Sequence, residues 1–193
     1  AAFAINYRLA PKHQFPAQID DCRTAVRWIK KHSADYNVDP QRLGGIGYSA
    51  GGHLLTLLAC TATDKTHRDT ALTCVAAGGT PCDFRETPLK SRFMSFWLKG
   101  TRAEHPELYK AASPAAFVSK DVCPIFFFHG TKDRLVSVDS PRKMVAALKK
   151  SGAQAELRLV NSAGHIAAAL DRRALEDALG FFDARLKKAA DKK

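Results

Sequence analysis

The 193-residue chain has no apolar run near the 18 or so residues that a membrane-spanning helix needs. Its five cysteines, Cys22, Cys60, Cys74, Cys82 and Cys123, are odd in number and widely spaced. They form no C-x-x-C pair and meet no histidine cluster at zinc-ligand spacing, so neither a disulfide scaffold nor a structural metal site is expected. Buried free thiols fit them better and lean toward a reducing, cytoplasmic compartment; a Cys74–Cys82 bridge stays open. Internal repeats and low-complexity tracts are also lacking. Residues Ala1-Ala2-Phe3-Ala4-Ile5 carry no basic segment ahead of their apolar side chains, so they do not read as a leader.

Acidic residues are scarce: 19 Asp and Glu stand against 30 Lys and Arg, a net charge of +11. The excess is spread over helices and loops, in pairs such as Lys149-Lys150, Arg172-Arg173, Lys187-Lys188 and Lys192-Lys193. No aromatic side chains interleave with it in a nucleic-acid-binding pattern, so a solvated basic face is expected rather than a nucleic-acid partner. A hydrophobic content of 46% in a chain of this length suits one domain, residues 1–193, with a substantial core.

Strand-like and helix-like periods alternate along the chain. Ala2 to Tyr7 reads as a short buried strand, stopped by Pro11. Ile19, Cys22, Val26 and Ile29 recur at helical steps. Leu43 to Gly47 is the next strand, and Ala50 to about Ala62 a buried helix. Leu72 to Ala77 is a strand ended by Gly78-Gly79. Residues 81–120 lack strand signals and read as a helical insertion, either a cover for a site or ordinary packing helices. Pro124 to Phe128 is continuously apolar, as a strand covered on both faces should be. A helix follows Pro141 through Met144, Val145 and Leu148. Ala155 to Leu159 alternates apolar with charged residues, the mark of an edge strand. The last helix places Leu175, Leu179, Phe182 and Leu186 on one face, with a Lys-rich end suited to a helix C-terminus. This order predicts an α/β fold with a mainly parallel sheet and helices on both faces.

Gly47-Tyr48-Ser49-Ala50-Gly51 is a G-x-S-x-G motif. Such a motif turns from strand to helix so sharply that glycines are expected at both flanks, which raises the serine hydroxyl and aims the Ala50 N–H at any oxyanion beside it. Chance alone yields the pattern at a rate on the order of several percent in a chain this long, so the motif needs support. The same stretch reads Gly45-x-Gly47-x-x-Ala50, a form of the dinucleotide fingerprint, with Asp64 at the right spacing for its acid; no strand-like run precedes Asp64.

Loops at the carboxyl ends of parallel strands share one rim. Ser49, Asp133 and His165 each follow a predicted strand, in the order Ser, Asp, His that suits this architecture. Serine needs a neutral imidazole to take its proton, and the imidazole needs a carboxylate to fix its tautomer; His165 and Asp133 are the candidates. Asp139 is an alternative acid, better read as a helix cap. His53 is expected to pack, and His129 to support the loop carrying Asp133. His13, His32, His67 and His105 are expected to face solvent.

The combination of Asn6-Tyr7-Arg8-Leu9-Ala10-Pro11, Phe15-Pro16-Ala17, Asp20-Asp21, Gly47 to His53, His129-Gly130-Thr131-Lys132-Asp133 and Ala163-Gly164-His165 resembles the α/β-hydrolase esterases related to hormone-sensitive lipase and bacterial acetyl esterases. The resemblance implies a serine carboxylic ester hydrolase without metal or cofactor, preferring short acyl chains, with a small-molecule or carbohydrate ester as substrate. In that family a His-Gly-Gly loop precedes the Asn-Tyr-Arg-Leu strand and supplies further oxyanion donors. The chain starts after that position, so the resemblance implies an N-terminally truncated esterase. Weak activity and an exposed strand edge favouring homo-oligomers are the expected consequences. Two other readings stay open, a prolyl-oligopeptidase-type serine peptidase and a catalytically silent scaffold used for binding.

Overall fold

The computed structural model describes residues 1–187, so the expectations for Lys188 and for the Lys192-Lys193 pair lie outside the described residues. Four strands, β1 (Gly44–Tyr48), β2 (Cys74–Gly78), β3 (Ile125–Gly130) and β4 (Ala155–Val160), form one sheet in the order β1-β2-β3-β4. All three pairings are parallel, with Gly44 opposite Cys74, Val75 opposite Ile125 and Ile125 opposite Ala155. This register brings the carboxyl ends of the strands to one rim.

Because side chains alternate across a strand, each buried run divides between two layers. Val75, Ala77, Ile125 and Phe127 meet α1 (Ala17–Lys31), α2 (Ala50–Thr61) and α5 (Asp139–Ser151) through Ile19, Leu57, Leu58, Met144 and Leu148. Cys74, Ala76, Phe126 and Phe128 face the other way, onto α6 (His165–Ala169) and α7 (Arg172–Leu186) through Ala168, Ala174, Ala178 and Phe181. The inner strands β2 and β3 are buried throughout, which is why their sequences read as uninterrupted apolar runs. β4 closes one edge, as its alternation predicted. β1 forms the other, and Ile46 on it is half exposed, at 53%.

Residues 81–120 hold two short helices, α3 (Ser95–Leu98) and α4 (Pro106–Ala111), and a 3-10 turn at Pro114–Phe117. They pack on the flank of α2. Trp97 sets its ring edge-on to His53 and Phe15, and Tyr109 and Leu98 are fully buried. On that side the insertion works as packing helices.

Two expectations are corrected, and two readings left open, the Cys74–Cys82 bridge and the dinucleotide pattern, are closed. Residues 2–7 form no strand and are largely exposed. A strand needs a neighbour to complete its ladder, and this segment finds none. It is held instead by Phe3 against Tyr36, by Tyr7 on the core and by the paired Arg8 and Asp21 side chains. The buried face of α7 runs through Ala174, Ala178 and Phe181, while Leu179 stands 62% exposed. Small residues let the helix lie close on the sheet, and Phe182 then packs over Gly44 at the edge. All five cysteines are free, with Cys74 and Cys82 in different packed layers. Asp64 lies in a turn after α2, where it caps the Thr66 N–H, and the next strand begins at Cys74, so the dinucleotide pattern fails.

Candidate active site

Ser49 occupies the bend between β1 and α2 with φ +53° and ψ −115°, a conformation that L side chains rarely adopt and that persists only where the surroundings enforce it. Its N–H donates to the Gly78 carbonyl (2.8 Å) and its carbonyl accepts from His53 N–H (2.9 Å), so the bend is tied to β2 on one side and to α2 on the other. Gly47 is sterically required, since a Cβ there would stand 2.5 Å from the Gly51 carbonyl carbon. The expectation for Gly51 is corrected, because a Cβ added there meets nothing within 4 Å. Ala50 is the first residue of α2, where a helix leaves its backbone N–H without an intrahelical partner.

Asp133 follows β3 on the loop beginning at Thr131, and His165 opens α6 after the loop that follows β4. The two loops are sewn together: Lys132 N–H donates to the Ala163 carbonyl, and Ser162 N–H to the Thr131 hydroxyl. Gly130 permits this approach, since a Cβ on it would lie 2.3 Å from the Ala163 oxygen. His165 Nδ1 then meets Asp133 Oδ2 at 2.6 Å, with the Asp133 side chain fully buried and that of His165 nearly so. Carbonyl and carboxylate groups accept only, so the imidazole N–H lies on Nδ1, which leaves Nε2 as the free base.

The carboxylate is well supplied with donors. Oδ1 accepts from the Leu135 and Val136 N–H groups, both at 2.9 Å. Burial alone would raise the Asp133 carboxyl, but these N–H groups and His165 outweigh it and hold it below the ordinary carboxylate range.

Sequence reasoning missed Tyr48. Its hydroxyl donates to the His165 carbonyl at 2.5 Å, and its ring lies edge-on to the imidazole with centroids 5.1 Å apart. Burial, followed by the Asp133 charge, pushes the phenol up to about 12, so it stays a donor. The residue before Ser49, at the end of β1, is therefore bonded to the backbone of His165 at the start of α6, 117 residues on. Only the folded sheet makes them neighbours. The Ser49 hydroxyl itself makes no hydrogen bond among the described residues.

The other candidates fall outside this group. His53 is buried in α2, where Nε2 donates to the Ala112 carbonyl (2.7 Å), and burial lowers it to about 4. Asp139, expected as a cap, is the first residue of α5 and pairs with Arg142 at 3.3 Å. His32, His67, His13 and His105 are half-buried rather than free in solvent; His32 stacks on Trp28. A cavity of about 620 Å3 is lined by Phe15, Ile19, Cys60, Thr61 and Leu108. It sits at the far end of α2, about 18 Å along a twelve-residue helix from Ser49, and is not part of the catalytic group. Among the described residues no cluster of three or more His, Cys, Asp or Glu could hold a metal ion, and no helix is long and apolar enough to cross a membrane.

Comparison with known proteins places the chain in a family. The BD-FAE family model matches residues 1–148. Esterase LipQ of Mycobacterium tuberculosis is 32% identical over 93% of the chain and 46% of its own length. Esterase LipC of the same organism is 31% identical over 84% of the chain and 44% of its length. The chain thus spans less than half of these curated relatives. Among solved structures, a truncated carbohydrate esterase from gut microbiota superposes with a TM-score of 0.86 at 24% identity, over 96% of this chain and 74% of that one. An acetyl ester-xyloside bifunctional hydrolase from Caldicellulosiruptor lactoaceticus gives 0.77 at 25% identity, over 93% and 69%.

Proposed function

We propose, from the premise that this chain belongs to the BD-FAE family and has the α/β-hydrolase fold, that it is a serine carboxylic ester hydrolase acting on short, acetyl-type acyl esters. The observation that carries the reading is the buried 2.6 Å contact between His165 Nδ1 and Asp133 Oδ2, on the rim where the strained Ser49 bend also stands.

In the reaction, the Ser49 hydroxyl gives its proton to His165 Nε2 as it attacks the ester carbonyl. Asp133 stabilises the resulting imidazolium. The Ala50 N–H, at the positive end of α2, donates to the tetrahedral oxyanion. His165 returns the proton to the departing alcohol, leaving an acyl group on Ser49. Water, deprotonated by the same imidazole, then releases the acid and restores the hydroxyl. The Ser49 hydroxyl, unbonded among the described residues, is consistent with a catalytic hydrogen bond that forms only with substrate in place. The short-acyl preference is supported by the named relatives, one described as an acetyl ester hydrolase and another, an esterase of Thermogutta terrifontis, as butyrate-bound.

Hydrolysis of p-nitrophenyl acetate, set beside longer acyl esters and a dipeptide anilide, tests the assignment. Turnover of the acetate, together with fluorophosphonate labelling that Ser49→Ala removes, is the expected result. Preference for the anilide would select the peptidase reading. A second reading, a silent scaffold that binds without turnover, is favoured by the unbonded Ser49 hydroxyl; absence of labelling would establish it.

A further inference from the structure

His129 ends the buried strand β3 and has no exposed side-chain surface, and its ring makes an unusual set of contacts. Nε2 lies 2.9 Å from the Val136 carbonyl and 3.3 Å from Asp133 Oδ2. Both neighbours accept, so the ring proton belongs on Nε2 and Nδ1 is bare. Nδ1 is buried with no hydrogen-bond partner. An unpaired buried polar atom is costly, and a residue kept for packing alone would be apolar at such a position. The ring is therefore placed for its one donor.

That donor closes a loop of bonds around the acid. Val136 N–H donates to Asp133 Oδ1, the Val136 carbonyl accepts from His129 Nε2–H, and that imidazole N–H also faces Oδ2, the oxygen that receives His165. The backbone of Val136 and one imidazole, bonded to each other, thus hold the two carboxylate oxygens. With Leu135 N–H on Oδ1 as well, the carboxylate plane cannot rotate without breaking several bonds at once.

We propose that His129 is a positioning residue: its Nε2–H, shared between the Val136 carbonyl and Asp133 Oδ2, fixes the carboxylate rotamer that presents Oδ2 to His165. This rests on the hydrolase reading above for its kinetic consequence, though not for its geometry. The clamp also needs a ring that stays neutral, because an imidazolium would compete with His165 for the same charge. The titratable groups facing the ring are Asp133 and His165; burial is the main influence keeping its proton affinity low, and the bare Nδ1 has no acceptor for a second proton.

The test compares His129→Gln with His129→Met, two unbranched side chains of similar length of which only the first can donate. His129→Met should lower kcat between about tenfold and 10²-fold, the cost of a misplaced catalytic group, with KM held and the acid limb of the kcat/KM profile moved to lower pH. His129→Gln should recover most of the loss. In a Ser49→Ala background, proton NMR should show the downfield resonance of the His165 Nδ1–H in the parent and the Gln variant, and its broadening or loss in the Met variant. Equal losses in both variants, tracking thermal stability, with the acid limb and the downfield resonance unmoved, would reduce His129 to packing. Should neither variant fold, nitrogen-15 histidine NMR of the parent decides: a protected Nε2–H with bare Nδ1 supports the clamp, and an Nδ1–H tautomer overturns it. If the parent turns over no ester, the hydrolase reading fails while the NMR experiments still judge the clamp.

Discussion

Acidification should destabilise this fold in part through His53, and the structure sets the size of that part. The ring is 3% exposed, packed edge-on against Phe84 and Trp97, and bonded to the Ala112 carbonyl. Burial lowers it from 6.5 to about 4. The folded state thus binds fewer protons than the unfolded chain between those values, so stability rises with pH there. Stated the other way, the contribution is whole above the unfolded value, declines as pH falls below it, and has gone by the folded value. One pKa unit corresponds to about 1.4 kcal/mol, so the full effect is about 3 kcal/mol. Linkage puts roughly 1 kcal/mol of the loss at about pH 5.5 and most of the rest by about pH 4.5. For a domain with a few kcal/mol to spare this is a large fraction. Urea unfolding followed by tryptophan fluorescence reads it, since Trp97 touches the ring. His53→Gln retains a donor for the Ala112 carbonyl and removes the titration. The parent minus this variant should therefore lose stability on the stated curve, while contributions from His129 and the carboxylates cancel. Parallel pH dependences in the two proteins would refute the reasoning, by showing that the buried ring takes up a proton in the folded state.

Other substitutions examine the rim. Asp133→Asn leaves the shape but removes the charge and admits the wrong imidazole tautomer; by analogy with Ser-His-Asp hydrolases, kcat should fall by about 10⁴-fold, measured with p-nitrophenyl acetate, and a fall under tenfold would contradict the assigned role. Tyr48→Phe removes the bond to the His165 carbonyl and should cost about 1 kcal/mol in urea unfolding, with a lower kcat and little change in KM. Gly130→Ala places a methyl group 2.3 Å from the Ala163 oxygen and should destabilise by about 1–3 kcal/mol while separating Asp133 from His165. Gly51→Ala, with open space at that position, should be neutral or slightly stabilising by thermal melting, because alanine suits a helix better than glycine.

The parallel sheet and the loops that carry Ser49, Asp133 and His165 could be read from the chain because their signals are local. Pro124 to Phe128 is apolar at every position, and a strand with that pattern has to be covered on both faces. The Ser, Asp, His order then follows from placing each loop at a strand's end. The helix at Ala50–Thr61 was likewise legible, within a residue, from its apolar run after the glycine-rich turn. Where the reading failed, the deciding group was remote. Residues 2–7 have the composition of a strand, but a ladder needs another backbone. Leu179 has the right spacing for the core, yet the small side chains of Ala174 and Ala178 turn α7 so that Leu175, Phe182 and Leu186 still pack on the core and Leu179 does not.

By itself, then, the order of residues determined the alternation of strands and helices after Ala17 and the three strand-end loops that carry the proposed triad, since hydrophobic period, turn residues and strand ends are properties of short stretches. Only the tertiary structure decided that Tyr48 holds His165 by its backbone, that His129 shares its proton between Val136 and Asp133, and that the rim depends on Gly47 and Gly130 but not on Gly51. Tyr48 with His165 and Gly130 with Ala163 are contacts between residues far apart along the chain, and the short-range contacts of His129 depend on how the loop after β3 folds back on itself; hydrogen bonds and van der Waals clashes act over distances that sequence separation does not measure.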